Sequence, residues 1–330
     1  RLLFVTVFSY YFYYKSSGLY FFLLALVTIS DFFLANLIHR YRERRGLGKL
    51  FVTLSIIIDL GLLGYFKYTN FFVGMVQRML EHNFQPWDIF LPVGISFFTF
   101  QSLSYTIDVY RGHLKPLPSL LDYAFYVSFF PQLVAGPIVR ASDFAPQIRQ
   151  PLTITRDMFA RGLFFILIGL FKKAVISDYI SLNFVDRIFD NPGLYSGLEN
   201  LLGIYGYAMQ IYCDFSGYSD MAIGIALLLG FHFPLNFNAP YAATNISDFW
   251  RRWHISLSTW IRDYIYISLG GNRKGKIRQF FNLIITMLLG GLWHGASLNF
   301  IIWGGMHGVA LAVHKVFSQG LLRHKRDYVS

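Results

Sequence analysis

Cysteine, charge and the familiar catalytic signatures are all scarce in these 330 residues. Cysteine occurs once, at Cys213, which excludes an internal disulfide and any paired-thiol metal or redox site. Because Cys213 lies in an apolar run, its thiol reads as buried and inert rather than as a nucleophile. Charged residues make up only 14% of the chain, against 55% hydrophobic and 19% aromatic, where soluble domains carry about 25% charge. There is no HExxH, and no carboxylate stands at ligand spacing to a histidine, so no metal is expected. No Walker A loop, Gly-rich dinucleotide turn or GxSxG elbow is present, which argues against nucleotide chemistry on those motifs and against a serine hydrolase.

What is there points to a bilayer. Mean hydropathy is +0.43, and several uncharged runs approach the roughly 20 residues needed to cross a membrane. The formal charge of +11 could mark a nucleic-acid binder. Here, though, the basic residues gather between apolar segments, as the positive-inside rule predicts, so membrane orientation explains them and no nucleic acid is expected.

Taken in order, Leu2–Tyr14 and Ser17–Ile38 read as membrane helices, the second interrupted only by Asp31. The loop HRYRERRGLGK, with Arg40, Arg42, Arg44, Arg45 and Lys49, anchors the cytoplasmic side, shared by the basic segments Arg273–Arg278 and Arg323–Arg326. Leu50–Phe66 returns outward with Asp59 inside it, and Met75–Asp88 reads as an interfacial amphipathic helix. Ile89–Ile107 and Tyr123–Val139 are uncharged but dotted with Pro92, Gly94, Gln101, Pro131, Gly136 and Pro137. Such segments either break around a cavity or span with a proline kink; both readings stand. Arg140–Arg161 reads as a loop and a surface helix. Gly162–Ile176 ends on Lys172 and Lys173, placed to snorkel to an interface. Asn183–Gly197 reads as a loop, and Leu198–Phe233 as two helices joined through CDFSGYSD. Asp214 and Asp220 there hold a buried polar network or border a substrate path, with Ser216 and Asp220 on one helical face.

The most informative stretch runs from Asp248 to Val309. It carries two Trp-His pairs, Trp253-His254 and Trp293-His294, 40 positions apart. From Gln279 to His314 there are 36 residues without Asp, Glu, Lys or Arg, and an ionisable group in such a run reads by default as part of a site. Asp248 is the expected N-cap of a helix starting at Phe249. On that helix Arg251, His254, Ser258 and Arg262 form a polar stripe beside Trp250, Trp253, Leu257 and Trp260. Guanidinium forks suit a phosphate-bearing donor, or equally the headgroup layer. His294 sits at GGLWHGAS, flanked by glycines that allow close backbone approach. A neutral imidazole there could take a proton from a hydroxyl, or could be a hydrogen-bonded core residue. His307 and His314 read as packing or interfacial. A histidine base without an evident Ser or Cys nucleophile points to direct transfer onto an acceptor hydroxyl.

At these residues the chain resembles a known family. FWRRWHISLSTWIRDYIYISLGGNRKG and LLGGLWHGASLNFIIWGGMHG closely resemble the membrane-bound O-acyltransferases, and within them the bacterial alginate O-acetyltransferase branch. LPVGISFFTFQSLSYTIDVYRG, FFPQLVAGPIVR and CDFSGYSDMAIG resemble the same branch, so the likeness runs from about Pro92 to His307. The resemblance implies a multi-pass enzyme that moves an acyl group from an intracellular donor onto an extracytoplasmic hydroxyl. It implies that His294 is the catalytic base, that His254 orients donor or acceptor, and that a helical ring surrounds a funnel and passage.

The expected fold is therefore all-α, a polytopic integral membrane helical ring with broken or re-entrant helices around a central tunnel. It forms one domain over 1–330, with peripheral helices over 1–85 and a catalytic core over 86–316. The chain starts at Arg1 and is expected to be a fragment lacking its C-terminal helices. The expected activity is O-acetyl transfer from a cytoplasmic thioester, acetyl-CoA or an acyl carrier protein, to an exported polysaccharide or a periplasmic partner in the bacterial inner membrane, with no bound cofactor. Alternatives are D-alanyl or peptidoglycan O-acyl transfer, or, in another class, a polymer or lipid-precursor transporter built on Asp214 and Asp220. Expected site residues are His294 and His254, with Arg251, Arg262, Trp253, Trp293, Ser258, Asp214 and Asp220 around the substrates.

Overall fold

A computed structural model describes the backbone of residues 1–81 and 83–327, and their side chains up to residue 318. Among the described residues every regular element is helical. In chain order the helices are α1 (Leu2–Ser17), α2 (Phe21–Arg40), α3 (Arg45–Leu63), α4 (Thr69–Met79), α5 (Ile95–Arg111), α6 (Leu120–Ser128), α7 (Phe130–Leu133) and α8 (Ala141–Ile148). They continue as α9 (Arg156–Leu170), α10 (Asp178–Ile180), α11 (Asp186–Asp190), α12 (Gly197–Leu228), α13 (Ile246–Arg252), α14 (Ile255–Ile261), α15 (Lys276–His294) and α16 (Leu298–Asp327).

Among the described residues, three stretches are long and apolar enough to cross a bilayer: Leu2–Arg40, Arg45–Met79 and Leu298–Ser318. Their outward faces are apolar. On α2, Phe22, Leu26, Ile29 and Phe33 are exposed at helical spacing, while Asp31 on the opposite side is fully buried. Polar inside and apolar outside inverts the soluble pattern and fits a lipid surround. The chain is a membrane protein. The basic segment Arg40–Lys49 runs from the last residue of α2 through a four-residue turn into the start of α3; the side chains of Arg323–Arg326 lie outside the described residues.

The chain divides into two compact units. One comprises Arg1–Lys15 and Leu117–Asn236; the other comprises Ser16–Pro116 and Phe237–Ser330. In the first, α9 packs on α12 backbone to backbone. A Cβ at Gly169 would approach the Gly217 carbonyl to 2.5 Å, and one at Gly224 would approach the Gly162 carbonyl to 2.6 Å. Glycines seven residues apart on each helix thus make the close approach possible. Phe125, Phe129, Phe144 and Phe231 fill the core beside them, with Phe144 stacked on Phe231 at 5.2 Å. Ser119 caps α6 by accepting from the Asp122 amide, and Arg149 binds the Asp122 carboxylate at 2.7 Å.

Several expectations change here. Leu198–Phe233 holds one 32-residue helix, α12, opened by a capping box between Ser196 and Glu199; the glycine and serines of CDFSGYSD serve packing instead of a turn. Lys172 and Lys173 are held in ion pairs. Lys172 pairs with Asp220 at 2.6 Å, and Lys173 with Asp214 and Asp178 at 2.6 Å each. The expected loop after Asn183 contains α11. Chain breaks fall where prolines and glycines had suggested: α6 stops at Ser128 and α7 starts after the non-helical Phe129.

In the second unit α2, α3 and α5 pack around a buried polar knot. The Ser55 hydroxyl donates to Asp31 Oδ1 at 2.8 Å and lies 2.9 Å from Thr106 Oγ1, with Asp59 fully buried among them. Helix α5 begins only at Ile95, after left-handed Gly94, and is buried along almost its whole length. The helix expected over Met75–Asp88 ends at Met79, and most of the stretch before Pro92 is irregular. Helices α15 and α16 form an antiparallel pair whose closest approach is at Gly291 and Gly304, where a Cβ would run into the Phe300 and Met287 carbonyls respectively.

Candidate active site

The stretch carrying the first Trp-His pair is not one helix. Asn245, not Asp248, caps α13 by accepting from the Asp248 amide. Asp248 instead sits in the first turn and holds Arg252 at 2.9 Å. The helix then stops, because Trp253 is extended (φ −97°, ψ 128°) and His254 is left-handed (φ 43°, ψ 56°). Outside glycine, histidine is among the residue types enriched in that conformation. Helix α14 restarts at Ile255 and continues through a π-helical turn over Arg262–Tyr266. The polar stripe drawn on a continuous helix is thereby broken at His254, whose ring turns inward and is fully buried.

Helix α15 delivers the second pair. Its last residue is His294, half-buried, followed by extended Gly295 (φ −165°, ψ 149°). A side chain at Gly295 would run into the Phe300 ring, so the close turn into α16 depends on glycine. Trp293 touches both histidines: its ring centroid lies 6.0 Å from His254 and 5.0 Å from His294. Phe97 and Phe100 of α5 hold that indole at 5.5 Å each. Trp260 stacks on Phe100 at 3.9 Å and donates from Nε1 to the Phe100 carbonyl at 2.9 Å. Tyr264 donates to Asp108 at 2.6 Å, fixing the π-helical turn to α5. His254 lies between two seven-residue helices too short to cross a bilayer. Its burial, reinforced by the His294 imidazole nearby, holds it well below the ordinary imidazole value.

His294 also meets Trp303 of α16 at 5.2 Å, and Trp303 meets His307 at 4.6 Å. His307 packs on Trp250 at 5.2 Å, so it belongs to the aromatic wall, as expected for a packing histidine. Beyond Trp250 opens a groove of about 320 Å³, lined by Arg251, Ser258, Arg262 and Lys315 among others. Arg251, Ser258 and Arg262 are brought together after all, by the groove and not by one helical face. Arg262 is bound to Asp263 at 2.7 Å, while Arg251 is exposed and makes no ion pair among the described residues. A second cavity, of about 590 Å³, lies beside the turn after His294 and is lined by Asn70, Arg78, Ser297 and Asn299.

Trp253 is held by Phe237 at 5.1 Å and Phe249 at 5.5 Å, and Ser258 donates back to its carbonyl at 3.1 Å. Asp214 and Asp220 stand in the other unit, on α12, each occupied by a lysine. The sequence reading passed over Lys67. It sits in a π-helical turn over Gly64–Tyr68, donates to the Trp293 carbonyl, and lies 3.1 Å from Ser96 Oγ. Its signal was available: a lone cation in an apolar stretch that includes Leu60–Phe72 is itself a site flag.

A model of the membrane-bound O-acyltransferase family matches residues 8–323. The chain belongs to that family. It is 44% identical over 319 residues to a probable alginate O-acetylase of Pseudomonas aeruginosa, covering 96% of this chain and 61% of the relative. A protein of the same description from Azotobacter vinelandii is 46% identical over 297 residues, covering 89% of this chain and 59% of the relative. The peptidoglycan O-acetyltransferase of Helicobacter pylori is 42% identical over 316 residues, with 88% and 60% covered. The chain thus spans about three-fifths of the length of these relatives.

Proposed function

We propose that this chain is the histidine-bearing core of a membrane O-acetyltransferase that moves acetyl from a thioester donor to a hydroxyl of an exported polysaccharide. The observation that supports this most is the indole of Trp293 in contact with two histidines, one fully buried and one partly buried at the end of a helix. Relatives described as alginate O-acetylases and a peptidoglycan O-acetyltransferase support a glycan acceptor. The reaction would run within the bacterial inner membrane, with the donor, acetyl-CoA or an acyl carrier protein, entering from the cytoplasm. The acetyl group would pass to the polymer directly or through a periplasmic partner.

In this reading His294 is the base. It takes the proton as the acceptor oxygen attacks the thioester carbonyl; the C–S bond breaks and the departing thiolate is protonated. A positioned imidazole contributes about 10²–10⁴-fold to such a step. Buried neutral His254 keeps Trp293 and the donor path in place. Arg251, Arg262 and Lys315 make the groove beyond Trp250 a seat for donor phosphates. The test is acetyl transfer by the full-length protein in membrane vesicles given labelled acetyl-CoA on the cytoplasmic face. Label should reach an external glycan in wild type and be lost in His294→Ala at equal abundance; wild-type turnover in His294→Ala would overturn the reading.

A further inference from the structure

Lys67 is a cation inside a stretch long and apolar enough to cross the membrane. A charge there is costly unless something specific receives it. Among the described residues it has no carboxylate partner. Its partners are instead the end of another helix. The Lys67 ammonium donates to the carbonyl of Trp293, the residue immediately before His294, and to Ser96 Oγ at 3.1 Å. It also stands 5.4 Å from the Trp293 ring centroid. The next residue, Tyr68, donates its hydroxyl to the Leu292 carbonyl at 2.8 Å.

Leu292 and Trp293 belong to the last turn of α15, where helical carbonyls have no intrahelical donor. The negative end of the helix dipole is also there, and a cation is favoured at it. Local capping is unavailable: Gly295 is extended rather than left-handed, so none of the usual glycine-capped hydrogen bonds closes the turn. The π-helical turn over Gly64–Tyr68 supplies the missing donors from a different helix. Such turns recur at functional positions because they redirect consecutive side chains.

We propose that Lys67 and Tyr68 are positioning residues that clamp the C-terminal turn of α15 and so fix where the His294 imidazole stands. This rests on the reading of His294 as the base. The clamp acts on the two carbonyls before the histidine, so its loss tilts the last turn without removing any group that touches substrate. A displacement of about 1 Å at a reacting group can cost on the order of 100-fold in rate.

The test is a double-mutant cycle in the full-length protein in membrane vesicles, with acetyl-CoA as donor. Lys67→Met should lower kcat about 10- to 100-fold at normal abundance while leaving KM for acetyl-CoA within about twofold. Lys67→Arg, which keeps a donor and a charge, should recover much of the loss. Tyr68→Phe removes one neutral hydrogen bond and should cost roughly 3- to 10-fold. Added to His294→Ala, Lys67→Met should cost nothing further, because a clamp that acts through His294 has nothing left to position. Full additivity in that double variant, or a wild-type kcat in Lys67→Met beside an inactive His294→Ala, would overturn the clamp and leave the base reading intact. Wild-type turnover in His294→Ala would instead overturn the base, and the clamp with it. Should Lys67→Met fail to accumulate, the Tyr68→Phe cycle decides on the same criterion.

Discussion

The two Trp-His pairs look alike in sequence and are built in opposite ways. At Trp253-His254 the chain changes direction between two short helices, the histidine takes a left-handed backbone, and its ring is sealed. At Trp293-His294 a long helix runs to its end, and the histidine is its last residue, partly buried beside a glycine turn. The difference accords with the two jobs proposed for them: positioning for the fully buried His254, and base for His294 at the helix end. Residue type and motif do not distinguish the two; backbone conformation does.

The largest effect expected from this contrast is on turnover. His294→Ala should lose about 10²–10⁴-fold in acetyl transfer while keeping its thermal midpoint in detergent within a few degrees. If His254→Ala were the more damaging to turnover and the less damaging to stability, the assignment of jobs would be reversed. Next comes the α15–α16 seam. Gly304→Ala pushes a methyl into the Met287 carbonyl and should cost about 1–3 kcal/mol, read by thermal unfolding, with activity falling in parallel. An unchanged midpoint would mean the two helices part easily and His294 is not held by that seam.

The groove beyond the first pair supplies a third test. Arg251→Ala should raise KM for acetyl-CoA roughly tenfold with little change in kcat, and the effect should shrink as salt rises. Insensitivity of KM to both would remove the groove from the donor path. A fourth test concerns pH. His254 is held well below the ordinary imidazole value by burial, so the unfolded chain binds its proton first. Its contribution to stability is complete above an unfolded pKa of about 6.5 and is lost as pH falls from there toward the folded value, by up to about 1.4 kcal/mol per pH unit. Melting in detergent between pH 7 and pH 5 should show stability falling with pH, and His254→Gln should make that fall shallower.

Much of the fold could be read from residue order, and the reasons are specific. The long apolar run Ser17–Ile38, interrupted only by Asp31, marks α2 by length, and FFPQL breaks α6 from α7 because proline cannot continue the helix. Other features were misread because their cause is a distant partner. Lys172 and Lys173 look like interface lysines until α12 is seen to bring Asp220 and Asp214 to them. CDFSGYSD looks like a turn, yet Gly217 is there to let α9 in. DFWRRWHISLSTW looks like one helix because its side-chain period is good, and nothing local announces that His254 adopts a left-handed backbone.

What the sequence determined by itself, then, is the solvent and the chemistry on offer. An apolar, charge-poor chain can span lipid only as helices or a closed barrel, and uncharged runs approaching roughly 20 residues select helices. Tertiary structure decided which imidazole is fully buried and which only partly, which cations are neutralised, and that Lys67 and Tyr68 meet the end of α15 across 226 and 224 residues of chain. Those outcomes depend on long-range contacts between helices, and no local pattern encodes a hydrogen bond to a carbonyl so far along the chain.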